Sequence, residues 1–470
     1  MKNIWLSLLA FILGITVLGA CSNSNPGTKK TPEPQSATST PAATPTKILP
    51  TTTQLPDINV EAASLKGLQI QFMHPWSDAL GIEMAKMIDE FNQNNTWGIF
   101  VNAQTPGSAG MLTNQLVEDI ATGNQPDLVA APVDTLLKID TSEHAIVDLN
   151  PYVYSSQWGM TPDELADFDP IFLEQDHVKG FRYGFPAQRS TVMMFYNSTW
   201  AKELGFSSPP TAPQDFQNQA CAAFQALKND SESSNDGLGG WIVNTEGLVT
   251  YSWLVNFNTA IVANGNYTFT SPAAQTAFET ILGLLTSGCA WIPRQATPYD
   301  YFASRQALIY SGYLQDILPQ IKANSLAGIS DNWTVIPFPS TQEQRVVAEG
   351  PSYAVMKSTP EKQLAAWLFV RWMSSPDYQV RIVQTSGTLP LSTQVKNQLM
   401  TSGSMSQQWK DAVGSTSQVM TVPSDPNWQL AKTIIEDAGW QLFKTNLVKS
   451  DIPALLAQMD STFIELKDRK

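Results

Sequence analysis

The chain has 470 residues, with 28 Lys and Arg against 42 Asp and Glu, a formal charge of −14, and 43% hydrophobic residues. That acidity argues against nucleic acid and against docking by charge on anionic lipid, because both need an excess of basic groups. The length exceeds what a single core usually serves, so two lobes are expected.

The chain begins with a targeting segment. Lys2 gives a positive start, an apolar run covers 4–18, and the stretch VLGAC at 17–21 puts small residues before Cys21. These are the parts of a signal peptide, and the run is shorter than the roughly 20 residues of a spanning helix. Residues 1–20 therefore read as signal peptide. A cysteine directly after the cut fits the lipobox of a bacterial lipoprotein, in which the Cys21 thiol takes a diacylglycerol and the new amino group is then acylated. Several chains hold a protein firmly where one chain binds only marginally. The expected location is the cell membrane, lipid-anchored and facing the extracytoplasmic side.

Residues 21–60 are the lipidated cysteine and a tether rich in Pro, Thr and Ser. With almost no large apolar side chains, the tether cannot repay its own ordering. Cys21 is spent on lipid, which leaves Cys221 and Cys289 as an even pair in an oxidising setting. A disulfide between them is expected.

The globular part opens with alternation at Leu68, Ile70 and Phe72, a strand over 65–73 broken by His74, Pro75 and Trp76. Helical spacing follows over 79–94, a second strand over 99–105, a second helix over 111–122 and a third strand over 126–130. Strand, helix, strand, helix, strand implies a parallel sheet with right-handed crossovers. Further along, 183–196 reads as strand, 211–228 and 273–287 as helices, 309–310 as a short strand and 346–356 as one strand. An apolar helix follows over 360–373 and a long helix over 428–447.

Catalytic signatures are missing from the sequence. His74, His144 and His177 have no ligand spacing, and no metal, Walker, dinucleotide or nucleophile-elbow pattern occurs. No metal and no cofactor are expected. Fourteen tryptophans stand out instead, several at breaks between elements. Flat rings beside hydroxyl, amide and carboxylate groups suit sugars, whose C–H faces lie on the ring while their hydroxyls meet the polar groups.

Six segments in order carry a resemblance: FMHPWSDALGIEMAKMIDEFNQ, LTNQLVEDIATGNQPDLVAA, VDLNPYV, YGFPAQRSTVMMFYNSTWAKELGFSSPPTAPQDF, FASRQALIYSGYLQ, and the stretch GPSYAVMKSTPEKQLAAWLFVRWMSSPDYQVRIVQTSGTLP. Together they resemble the extracellular solute-binding proteins of ABC importers, family 1, the carbohydrate-binding group. The resemblance implies an α/β, two-lobed periplasmic-binding-protein-like fold of type II, with parallel-dominated sheets, flanking helices and a hinge. It implies lobe 1 over 61–180, lobe 2 over 181–300, a return to lobe 1 over 301–345, and lobe 2 with C-terminal helices over 346–470. The implied function is not enzymatic: a monomer binds a mono- or oligosaccharide between the lobes and delivers it to the membrane permease by closure.

Carried over residue by residue, the resemblance points to Trp76, Ser190, Thr191, Trp241, Trp253, Ser311, Gly312, Tyr313, Glu349, Gly350 and Tyr353 as ligand contacts. Where members that bind glycerol phosphate carry an arginine, this chain has Thr388, Leu389 and Pro390 after Ser386 and Gly387. That departure favours a neutral saccharide, while Arg189 could still reach the cleft and support an anion. The competing classes are a cell-surface glycoside-acting enzyme, which needs two carboxylates at a defined gap, and a sensory or adhesive solute-binding module without transport.

Overall fold

The computed structural model describes residues 55–263, 266–416, 418–444 and 446–468. The signal segment, Cys21 and all but the last residues of the tether lie outside the described residues.

Sheet formation starts where the alternation is cleanest. In the strand Gln69–Met73, Ile70 and Phe72 are buried while Gln69 and Gln71 are exposed. This strand pairs in parallel with Phe100–Gln104 on one side and Leu128–Ala131 on the other. The helices Asp78–Asn94 and Ala109–Thr122 make the crossovers between them. Ser352–Val355 adds antiparallel to Leu128–Ala131, and Phe185–Pro186 closes the five-stranded sheet. Phe72, Leu128, Tyr353 and Val355 pack in one core with residues of the helix Pro360–Met373. Val129, Ala131 and Ala354 belong to another with Leu112, Leu116 and Leu136.

The second sheet has seven strands around Ser190–Asn197, which is buried along its whole length. Val192, Met194 and Tyr196 pack with Phe216, Trp241 and Trp253. Met193 and Phe195 turn the other way, toward Phe302 and Trp333. Burial on both faces explains a strand with no polar alternation in its second half. Ala307–Tyr313, Trp333–Ile336 and Val346–Glu349 all run antiparallel to this central strand. Gly239–Ile242 lies parallel between Ala307–Tyr313 and Ala290–Trp291. Val419–Thr421 pairs in parallel with Val346–Glu349.

Each sheet with its helices forms a lobe, and the chain passes between them three times. The first passage is 187–189, the second Gly350 and Pro351. The third follows the helix Thr393–Thr401, which packs on Pro376–Ser386, and leads to Gln407–Ser415, which packs on Trp333–Ile336. Two expectations are corrected here. Residues 301–345 do not return to lobe 1: both their strands pair with Ser190–Asn197 in the second sheet. The single strand expected over 346–356 is two strands in different sheets, and 352–401 belongs with the first lobe.

Gly350 explains that break. A Cβ there would lie 2.1 Å from the Gln188 carbonyl oxygen, so the first two passages meet backbone to backbone. The Pro351 carbonyl accepts from the N–H groups of Ala187 and Gln188, both at 3.2 Å. Arg189 fills the space beneath them. It is fully buried, and its guanidinium donates to the carbonyls of Gln188 at 2.9 Å and Pro351 at 2.8 Å. It also donates to Gln175 Oε1 at 2.7 Å, Ser352 Oγ at 2.9 Å and the buried Asp176 carboxylate at 3.2 Å. The backbone carbonyl of Arg189 accepts from Leu389 N–H at 2.8 Å. Arg189 is therefore consumed inside the hinge and does not reach the cleft as an anion partner.

Cys221, in the helix Pro213–Lys228, is joined to Cys289, the residue before the edge strand Ala290–Trp291. Among the described residues, no helix is long and apolar enough to cross a membrane.

Candidate ligand-binding site

Gly239–Ile242, Ala290–Trp291 and Ala307–Tyr313 run in one direction, so their carboxyl ends share an edge of the second sheet. Such edges are where open α/β sheets place ligands. A cavity of about 460 Å³ lies there. Tyr310, Ser311 and Tyr313 line it from one strand, Val243, Asn244 and Glu246 follow another, and Tyr299 opens the short helix Tyr299–Ala303 after the third. Trp440 and Phe443 of the helix Trp428–Lys444 complete the wall. A cavity of about 500 Å³ elsewhere is bordered by Pro209, Pro210, Thr211 and Ile336. It shares no residue with the first and holds one aromatic ring, Phe206, and one carboxylate, Asp215, beside the amides of Asn218, Gln219 and Gln344.

Hydrogen bonds fix the polar lining. Asp316 accepts from the Tyr299 hydroxyl at 2.7 Å and from the Tyr313 N–H at 2.8 Å. Gly312 makes room for this, since a Cβ there would lie 2.5 Å from the Asp316 carboxylate. Asn244 Nδ2 donates to the Ser311 carbonyl at 3.1 Å, and the Trp241 indole N–H donates to Ser311 Oγ at 3.1 Å. Next to the cavity, Lys432 Nζ sits 2.7 and 2.8 Å from the two oxygens of Glu349. The Tyr313 hydroxyl donates toward Glu349 at 3.4 Å and also lies against Glu246. Gly247 lets the chain pass close to Lys432, whose backbone oxygen would lie 2.7 Å from a Cβ at that position.

From the first lobe, Asp134, in the first turn of the helix Val133–Glu143, lies within electrostatic reach of Glu349 and Lys432 without lining the cavity. It is 5% exposed, and burial pushes its carboxyl up to about 6, with Glu349 adding to the rise and Lys432 opposing it. The folded value exceeds the usual value of 3.8, so folding takes up protons between these two pH values. Stability is then lost as pH rises through that window and stays lost above it. Asp134→Asn is expected to stabilise the protein by about 1–2 kcal/mol at pH 8 and by almost nothing at pH 4. Urea denaturation at both pH values checks this, and an equal gain at the two would contradict it.

The expected contacts separate into three groups. Ser311 and Tyr313 line the cavity, Gly312 shapes it, and Glu349 adjoins it. Trp241 and Trp253, each 1% exposed, are core: their rings lie 5.5 Å apart, edge to face, and both pack against Phe216. Thr191 is fully buried and donates to the Val347 carbonyl at 2.7 Å, while Gly350 serves the hinge. Trp76, Tyr353 and Ser190 lie between these roles. Trp76, 6% exposed, donates its indole N–H to Gln188 Oε1 at 2.9 Å and packs edge-on to Tyr353, which is fully buried. Ser190 donates to Gln315 Oε1 at 2.5 Å.

The sequence reading missed Tyr299, Asp316, Glu246, Asp134, Lys432 and Trp440. Trp440 carried a usable signal, because it interrupts the polar face of an amphipathic helix and remains half exposed.

The model of the bacterial extracellular solute-binding protein family matches residues 86–414. The chain belongs to this family. No curated protein matches it by sequence. Among solved structures, this solute-binding protein is similar to the cyclic α-maltosyl-1,6-maltose binding protein of Arthrobacter globiformis, at 16% identity and a TM-score of 0.68, covering 85% of this chain and 99% of that one. The GacH receptor of Streptomyces glaucescens, solved unliganded and with acarbose, gives 16% identity and a TM-score of 0.68, with 86% and 99% covered. The sugar-binding protein MalE of Xanthomonas citri gives 16% and 0.68, with 85% and 98% covered. These likenesses show that the solute-binding protein has the two-lobed fold of that group.

Proposed function

We propose that this protein is the extracytoplasmic receptor of an ABC import system, that it binds a mono- or oligosaccharide between its lobes, and that hinge closure presents the loaded form to the membrane permease. In this reading it acts as a monomer held to the membrane by lipid on Cys21, and it carries out no chemistry on the solute. The cavity at the strand ends is the observation that carries the reading: Tyr299, Tyr313, Trp440 and Phe443 stand around carboxylate, amide and hydroxyl groups. Rings of this kind cover the apolar faces of a sugar while the polar groups meet its hydroxyls. The sugar-binding names of similar structures support it. A solute must bind the closed state better than the open one to drive closure, and groups from both lobes, Asp134 and Glu349 with Lys432, come near each other across the cleft.

The test is a melting screen against mono- and oligosaccharides, since a ligand of the folded state raises the melting temperature by linkage. Trp440→Ala is expected to weaken the best hit about 10–100-fold with little change in stability, because the ring is 50% exposed. Calorimetric titration reads the affinity. An unchanged value would remove Trp440 from the site, and hydrolysis of a glycoside with no binding shift would replace the receptor reading by an enzymatic one.

A further inference from the structure

The cavity and its rim carry more negative charge than their own cations neutralise. The carboxylates of Asp134, Glu246, Asp316, Glu349 and Glu436 lie in or beside it. Lys432 is spent on Glu349 at 2.7 Å, and Lys444 is solvent-exposed at the rim. Among the described residues, Asp316 receives only neutral donors, the Tyr299 hydroxyl and the Tyr313 N–H.

The donor inventory is depleted as well. Tyr299 gives its proton to Asp316, Tyr313 gives its proton to Glu349, and Asn244 gives an amide hydrogen to the Ser311 carbonyl. Around Asp316 and Glu246 the lining thus offers charged acceptors faced by neutral donors, while Thr245, Thr297 and the Trp440 indole keep donors elsewhere in the wall. Independently of the carboxylates, Tyr310 lines the same cavity, is fully buried, and has no hydrogen-bond partner for its hydroxyl among the described residues. A buried hydroxyl without a partner costs free energy that an occupant can return.

An ammonium group fits this inventory, because it has three donors, no acceptor and a positive charge. A neutral hydroxyl supplies one donor, no charge, and an oxygen that needs a donor in turn. The rings of Tyr299 and Trp440 also suit a cation over their faces. On the reading of this protein as a saccharide receptor, we propose that the saccharide it takes carries a free protonated amine, seated near Asp316 and Glu246 with the Tyr310 hydroxyl beside it. This departs from the neutral saccharide that the sequence favoured.

Calorimetric titration of the whole chain at pH 7 and low salt tests it, with glucosamine and its β-1,4 oligomers, their N-acetylated counterparts, glucose and maltotriose as probes. The free amines are expected to bind at least about tenfold tighter than the N-acetylated forms, as one charge-assisted hydrogen bond allows. That advantage should shrink with added salt. Asp316→Asn should remove it, and Glu246→Gln, at a solvent-exposed position, should reduce it. Equal or tighter binding of a neutral or acetylated sugar overturns the inference and leaves the receptor reading standing. Failure of every saccharide to bind overturns both.

Discussion

Replacing Arg189 with methionine is expected to cost about 3–5 kcal/mol of stability, the range for removing one partner of a buried ion pair. Arg189 and Asp176 are both fully buried. Methionine keeps much of the volume but leaves the Asp176 carboxylate with the Ser352 hydroxyl as its remaining close donor, at 2.5 Å. Burial already pushes Asp176 upward, with the Arg189 charge the main opposing influence, so the variant raises it further. Its deficit should therefore be largest at pH 8 and shrink toward pH 4, because protonation removes the unpaired buried charge of the variant. The double variant Asp176→Ala with Arg189→Met should recover part of the loss, because no lone charge is left. It should not recover all of it, because the carbonyls of Gln188 and Pro351 still lack their donor. Urea denaturation across that pH range measures each quantity. Parental stability in the single variant would show that the hinge does not depend on the pair.

The location of this lock bears on function. Gln188, next to Arg189, accepts from Trp76 of the first lobe, and Ser190, on its other side, opens the central strand of the second. Bending between the lobes must pass through a segment whose middle residue is held from within. The lock thus concentrates motion at its flanks, which is what a hinge of few residues requires.

What could be read from the sequence depended on local pattern. The alternation of Ile70 with Phe72 and the spacing of Met84, Met87, Ile88 and Phe91 report burial on one face, so the opening strand and helix were legible. The helix Gly247–Asn256 was not, because all ten residues are buried and no polar face marks its period. The pairing of 307–313 with the second sheet was equally hidden, since a strand buried on both faces carries no mark of its partner. Aromatic content pointed to a ring-lined cavity and partly to the wrong rings. Trp241 and Trp253 occupy the core, while Trp440 lines the cavity. Lys432 and Glu349 are 83 residues apart, and the packing of the helix Trp428–Lys444 against Gly247–Asn256 brings that lysine to the strand end.

Removing the disulfide by Cys221→Ser with Cys289→Ser is expected to cost about 4 kcal/mol, the chain-entropy value for a closed loop of 68 residues. For a body of this size that is a fall of about 5 °C in melting temperature. The bridge does more than close a loop. Ala290–Trp291 is a two-residue edge strand, held to the sheet mainly by its pairing with Gly239–Ile242 and by the Trp241 N–H on the Cys289 carbonyl at 2.9 Å. Beyond it run Ile292 and Pro293 and then Tyr299, all in the wall of the cavity. With the bridge gone, this wall is tied to the helix Pro213–Lys228 only by packing, so affinity for the solute should fall as well, by less than the loss on removing Trp440. Thermal unfolding with and without reductant, beside the double serine variant, separates the effects. Reductant should lower the parent to the level of the variant and leave the variant unchanged. A parent indifferent to reductant once unfolded and refolded would mean that the fold holds this edge without the bridge, and the expected loss of affinity would go with it.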